Sequence, residues 1–165
     1  MKRVSLFQSS PSYLTVFFFL LLFVFIAFGS ALNNEFLSWD DASFVSANRM
    51  IQSFDSERLF QMATSFHTGN WYPITWFSHA LDYRLFGSNP AGHHLTSILW
   101  HGVNIFLVFV LFQRLLSLAK VDFYSADLFW AGIAAALLFG LHPLRVESVV
   151  WVSQRKDLLC AFFVL

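Results

Sequence analysis

Long apolar runs separate two polar stretches along this chain, and the runs have the length of membrane helices. Leu14 to Ala27 reads LTVFFFLLLFVFIA and holds no charge. Extended from Pro11 to Leu32, it reaches the roughly 20 residues that a bilayer-crossing helix needs. A second run, Leu95 to Leu118, carries His101 and Asn104 in its outer half. A third, Leu128 to Leu141, extends back to Phe123 if Asp127 sits at the interface. Gly132, Ala136 and Gly140 recur in it every four residues, and a face of small residues lets another helix approach closely in lipid. A fourth apolar run starts at Leu158 and the chain stops at Leu165, too soon to cross a bilayer. The pattern predicts an all-α, multispan helical membrane protein with spans at about 11–32, 95–118 and 123–141. The start of a fourth span at 158–165 reads as a truncated element, so residues 1–165 are expected to be the N-terminal part of a larger membrane domain. The first run has a competing reading as a cleaved signal peptide, with Lys2 and Arg3 before it and the small Gly29 and Ala31 after it. The spans that follow favour a retained anchor.

The polar stretch from about 33 to 94 is too long for a simple connection, since loops beyond about 12–15 residues usually carry structure or function. It reads as short amphipathic helices. Asp40 or Asp41 can cap the first, with Phe44, Ala47, Ile51 and Phe54 on one face. Ser56 can cap a second, ERLFQMATSF. Pro73 suits the first turn of a third, PITWFSHALDYRLF, which Gly87 would end. Asn89 and Pro90 then open the helix that becomes the second span. Trp71, Tyr72, Trp76 and Tyr83 supply amphipathic rings of the kind found at headgroup depth. The second polar stretch, His142 to Asp157, is shorter, and Pro143 can start a helix in it.

Composition supports lipid as the main solvent. The chain is 57% hydrophobic and 12% charged, against about 25% charged residues in an average soluble domain. Its formal net charge is zero, so no basic field draws it to nucleic acid. The single cysteine, Cys160, excludes an intrachain disulfide. Lys2, Arg3, Arg114 and Lys120 fall in short segments, whereas Arg49, Arg58, Arg84, Arg145, Arg155 and Lys156 are spread over the longer ones. The density of positive charge places the N-terminus inside. The stretches 33–94 and 142–157 are then outer loops, facing periplasm, extracellular space or the lumen of the endoplasmic reticulum.

Two sets of residues have chemistry to offer, each with a plainer structural role beside it. Asp40 and Asp41 directly follow the first span, where a helix cap and a catalytic site at a membrane surface both fit. Glu147 near a helix start is favoured by the macrodipole, as are Arg155 and Lys156 near a helix end. The histidines do not form a helical metal motif: His94 and His101 are seven apart, not the i, i+4 of helical zinc sites. His101 within a span should face the bundle interior, pairing with a neighbouring helix or lining a site, as Asn104 could. His142, at the entrance to the second outer loop, is the better active-site candidate.

Three ordered segments carry a family resemblance: WDD after the first span, NWYPITWFSHALDYRLFGSNPAGHHLTSILWH leading into the second, and LFGLHPLRVESVVWVSQRKDLL after the third. They resemble the membrane part of the TMTC-type proteins, multispan proteins with C-terminal tetratricopeptide repeats that include animal O-mannosyltransferases. The resemblance covers nearly all of the chain from about residue 33 onward. It implies a GT-C type glycosyltransferase that uses a polyprenyl-phosphate-linked sugar as donor and a protein hydroxyl as acceptor, in a lipid bilayer. It places the early acidic pair of that class at Asp40 and Asp41, with Asp40 as base and Asp41 in support. Taking a proton from the acceptor as the anomeric bond breaks, and stabilising positive charge on the sugar ring, both suit a carboxylate. Glu147 matches the further acid of the class and would bind acceptor or a divalent metal, whose involvement stays open. Arg155 and Lys156 could hold the carrier phosphate, the Arg in bidentate fashion and the Lys as a point charge. His142 and Asp157 complete the expected substrate-binding set. The membrane would be the inner membrane of a bacterium or that of the endoplasmic reticulum in a eukaryote, and the chain alone is expected to be inactive. A non-catalytic scaffold of the same fold is the main alternative. A transporter fragment ranks behind both, because transporters favour polar, broken spans and these spans are mostly smooth.

Overall fold

A computed structural model describes residues 11–119 and 125–165. Lys2, Arg3 and Lys120, on which the orientation was argued, and Phe123, the expected start of the third span, lie outside these residues. Seven helices follow in order: α1 (Tyr13–Phe28), α2 (Ser56–Thr64), α3 (Pro73–Phe86), α4 (Pro90–Leu118), α5 (Ser125–Gly140), α6 (Val146–Val150) and α7 (Arg155–Val164). Among the described residues there is no strand, so the all-α expectation holds.

Ser12 starts α1, its Oγ accepting the Thr15 N–H at 3.1 Å, and the helix tightens into a 3-10 turn over Gly29–Asn33. Val16, Leu20, Val24 and Phe28 form an i, i+4 stripe buried against Ile98, Ile105 and Phe109 of α4. Phe18, Leu22 and Ile26 point away and stay exposed, as a lipid-facing side would. Asn89 starts α4, its Oδ1 accepting the Ala91 N–H at 3.1 Å, and Pro90 occupies the first turn, where its missing donor costs nothing. The 29 residues of α4 extend about 44 Å at 1.5 Å per residue, well beyond a hydrocarbon core of about 30 Å. Its excess length carries it into the polar region, where α3 and α7 pack on it.

Tyr13–Asn33 and Pro90–Leu118 are each long and apolar enough to cross a membrane, and they make this an integral membrane protein. The segment expected to form a third crossing is less simple than its sequence suggests. α5 has 16 residues, about 24 Å of helix, and it is followed after a 54° bend by the segment Pro143–Val150. His142 and Pro143 cause the break: Pro143 opens a 3-10 turn, and His142 Nδ1 accepts the Leu144 N–H at 3.3 Å.

Within lipid, where polar side chains need partners, three of them tie α4 to its neighbours. His101 Nε2–H donates to the Gly140 carbonyl at 2.9 Å, Asn104 Nδ2 donates to the Leu158 carbonyl at 2.8 Å, and Gln113 Nε2 donates to the Leu128 carbonyl at 2.9 Å. His101 therefore pairs with a helix end rather than lining an open site. The small-residue face of α5 meets α4. A Cβ on Gly140 would run into Ile105, and one on Gly132 into Gln113. Gly140→Val should destabilise the full-length protein by about 1–3 kcal/mol, the usual cost of overpacking. A detergent unfolding midpoint equal to that of the unsubstituted protein would show that α4 and α5 separate easily.

Between α1 and α4 the chain builds a helical cap with its own core. Phe44, Val45, Met50, Ile51, Met62, Trp76 and Ala80 form it, and Val152 from beyond α6 completes it. The α2 and α3 segments are helical as read, with Pro73 opening α3 and Gly87 closing it at φ +62°. Two details differ. The residues after Asp41 form no single amphipathic helix but a π-helical turn, Ala42–Ser46, and a 3-10 turn, Arg49–Ile51. Phe44 and Ile51 are buried, whereas Ala47 and Phe54 are exposed. The cap of α2 is Asp55 rather than Ser56: its Oδ1 accepts the Arg58 N–H at 2.9 Å, where a carboxylate also meets the positive end of the helix dipole. Hydrogen bonds from Ser53 and the Arg58 amide lower the pKa of Asp55.

Candidate active site beneath the cap

Neither oxygen of the Asp41 carboxylate caps the turn that follows it. Oδ2 accepts the Leu37 N–H at 2.9 Å, and Oδ1 accepts the Ser153 N–H at 2.9 Å. The residue is 1% exposed, so a buried carboxyl group fastens the first polar stretch to the second. Such charge-assisted bonds are the short, strong class. Asp40, the neighbour, is half-buried, and among the described residues only its backbone is engaged, the carbonyl accepting from Ser43 Oγ at 2.9 Å. Each oxygen of one carboxylate of the pair accepts a main-chain N–H, while among the described residues the other carboxylate accepts none.

Glu147, on α6, faces a cavity of about 600 Å³ that is also lined by Glu35, Phe36, His94 and Trp151. Gln154 Nε2 donates to Glu147 Oε1 at 3.4 Å. Glu35 was not singled out in the sequence, although an acid just past the first span was a visible signal. The cavity thus collects a carboxylate from each polar stretch and an imidazole from α4. Asp40 is not among its walls, but Leu37, held by Asp41, is.

A second cavity of about 520 Å³ lies between α3 and α7, with Trp71, Tyr72, Ile74, Lys156, Asp157, Cys160 and Phe163 in its wall. Lys156 Nζ stands 5.1 Å from the Phe44 ring centre and 5.8 Å from that of Tyr72. Ser148 Oγ donates to Asp157 at 3.2 Å. His142 is exposed at the α5 break and lines neither cavity.

Arg155 does not lie at the surface beside Lys156, where the sequence suggested. It is 0% exposed, because the first turn of α7 directs it under the cap. Its Nε donates to Ser97 Oγ at 3.1 Å, Nη1 to Ser78 Oγ at 2.9 Å and Nη2 to the His93 carbonyl at 2.7 Å. Asp82, 2% exposed, is its counter-ion at 2.8 Å. A guanidinium buried and held in this way does not reach the surface, so it corrects the expectation that Arg155 stands beside Lys156 to meet a ligand there. Thr96 Oγ1 donates to the other oxygen of Asp82 at 2.8 Å. His79 and His93 close this buried cluster, their ring centres 6.2 Å apart. Burial, with the Arg155 charge nearby, pushes the His79 pKa well down, so its ring is neutral.

Fold and site together define an all-helical integral membrane protein in which an acid-lined cavity opens under a helical cap. Among proteins of assigned function the chain is similar to protein O-mannosyl-transferases of the TMTC type. It is 26% identical to protein O-mannosyl-transferase F38B6.6 of Caenorhabditis elegans over 148 residues, which is 85% of this chain and 20% of that one. It is 37% identical to human protein O-mannosyl-transferase TMTC4 over 98 residues, 56% of this chain and 13% of that one. It is 32% identical to Drosophila melanogaster protein O-mannosyl-transferase Tmtc1 over 98 residues, 59% of this chain and 10% of that one. The resemblance drawn from the sequence motifs is borne out by these relatives. The chain spans a fifth or less of the length of these curated relatives. No family model matches it, and no solved structure matches it significantly.

Proposed function

We propose that this chain is part of a GT-C type membrane glycosyltransferase that moves a sugar, mannose by analogy with its relatives' names, from a polyprenyl-phosphate carrier to a protein hydroxyl. The observation that carries the reading is the fastening of Asp41 to Leu37 and Ser153, which brings both polar stretches together beside a cavity walled by Glu35 and Glu147. Asp40 takes the proton of the acceptor hydroxyl as its oxygen attacks the anomeric carbon. The bond from that carbon to the carrier oxygen breaks, and the phosphate leaves with the electron pair. Attack opposite the leaving group inverts the anomeric centre. Asp41 holds the base in place, and Glu147 orients the acceptor. Lys156 faces the departing phosphate from the apolar cavity beside Tyr72, whose aromatic wall suits a prenyl chain. The acidic cavity opens on the periplasmic or lumenal side, where acceptor proteins are.

The reading is tested by incubating the full-length protein in detergent or vesicles with polyprenyl-phosphate mannose and acceptor peptides. Transfer is expected, and no transfer of any polyprenyl-linked sugar would overturn the reading. Lys156→Ala should raise the donor KM by roughly 10- to 100-fold, the worth of one hydrogen bond to a charged group, while kcat changes little. An unchanged KM would remove the carrier from the α3–α7 cavity.

A further inference from the structure

His79 and Asp82 stand one turn apart on α3, and His93 faces them from α4. One ligand atom from each of the three lies within 4.8 Å of the others, and all three residues are buried. We propose that they form a divalent-metal site, selective for zinc, that clips the cap to the long membrane helix.

The hydrogen bonding around the cluster prepares it for an ion. The Gly87 carbonyl at 3.1 Å can only accept, so His93 carries a proton on Nε2. Its Nδ1 then stands 3.6 Å from Asp82 Oδ2, and neither atom has a hydrogen-bond partner among the described residues. Buried polar atoms left without a partner this close together suit a shared ligand. Two ligands of one tetrahedral zinc, with bonds of about 2.0–2.1 Å, are roughly 3.3 Å apart, close to this separation. His79, 0% exposed, offers two ring nitrogens that meet no partner among the described residues, although buried polar atoms are nearly always satisfied. Asp82 is itself held from outside as metal-binding carboxylates are: Thr96 Oγ1 donates to Oδ1, and Arg155 Nη1 lies 2.8 Å from Oδ2. An outer carbonyl on the ligating His and outer donors on the carboxylate form the surround expected of a zinc site. Two imidazoles and one carboxylate favour zinc over magnesium or calcium, which prefer oxygen ligands. Arg155 sits on the carboxylate side and supplies no ligand atom.

Metal content separates this site from the proposed transferase activity. The full-length protein, purified in detergent from zinc-containing medium, should hold about one zinc per chain by elemental mass spectrometry. His79→Gln and His93→Gln should each lose it, while His101→Gln, a buried histidine elsewhere on α4, should keep it. Should the variants fail to fold, the unsubstituted protein still answers. Stripping with a chelator should lower its unfolding midpoint, and zinc, but not magnesium, should restore it. Absence of zinc, zinc retained by both variants, or a midpoint indifferent to chelation would overturn the site and leave a metal-free polar cluster. None of these outcomes depends on sugar transfer.

Discussion

Asp40→Asn in the full-length protein is expected to abolish sugar transfer while leaving membrane insertion and the unfolding midpoint intact. A positioned general base contributes typically 10²–10⁴-fold, and an amide cannot take a proton. Asp40 makes no side-chain hydrogen bond among the described residues, so its removal breaks little structure. Asp41→Asn should behave differently. Two backbone N–H groups, from Leu37 and Ser153, converge on its carboxylate. An amide can accept from one of them, but its NH2 then faces the other donor. The cost of one buried unsatisfied group is about 1–3 kcal/mol, so this variant should lose stability as well as activity. The pair is distinguished by measuring kcat and unfolding together. Full activity in the Asp40 variant would sink its role as base, and a fully stable Asp41 variant would sink the fastening.

Breaking the Asp82–Arg155 pair should be the most destabilising single change in the cap. Removing one partner of a buried pair typically costs about 3–5 kcal/mol, because the other charge is left without compensation. In zinc-free protein Arg155→Met strands the Asp82 charge, and it also leaves Ser97, Ser78 and the His93 carbonyl without their donor. The double change Arg155→Met with Asp82→Leu should recover part of the loss, since no charge then stays buried. Unfolding of the full-length variants in detergent measures both. A single variant as stable as the parent would mean that the pair is solvated and the cap loosely seated.

Much of the fold was legible in the sequence because its determinants are local. Ser12 and Asn89 cap their helices within three residues, Pro73 and Gly87 bound α3, and the apolar runs of α1 and α4 need only length. The interrupted third crossing was less legible, because apolar content does not record the angle imposed at His142 and Pro143. The irregular turns after Asp41 were missed for a related reason. Their backbone follows the burial of Phe44 against Trp76 and the demand of Asp41 for distant amides, not helix propensity. The chemistry of the second polar stretch was visible as a run of charges, but its depth was not. Arg155 and Lys156 are neighbours in sequence, yet one is buried and the other borders a cavity. Asp82 and His79 escaped notice because their partners lie across the turn into α4. Folding α3 and α4 into a hairpin on paper would have set them opposite His93.

The hydrogen bond from Ser153 to Asp41 spans 112 positions of chain. During synthesis at about 5–20 residues per second, Asp41 emerges on the order of ten seconds before its second partner exists. Val152, which completes the core under the cap, arrives just as late. The early polar region must therefore wait, incompletely packed, until two further membrane helices have entered the bilayer. The acidic region is thus completed by residues made after α4 and α5.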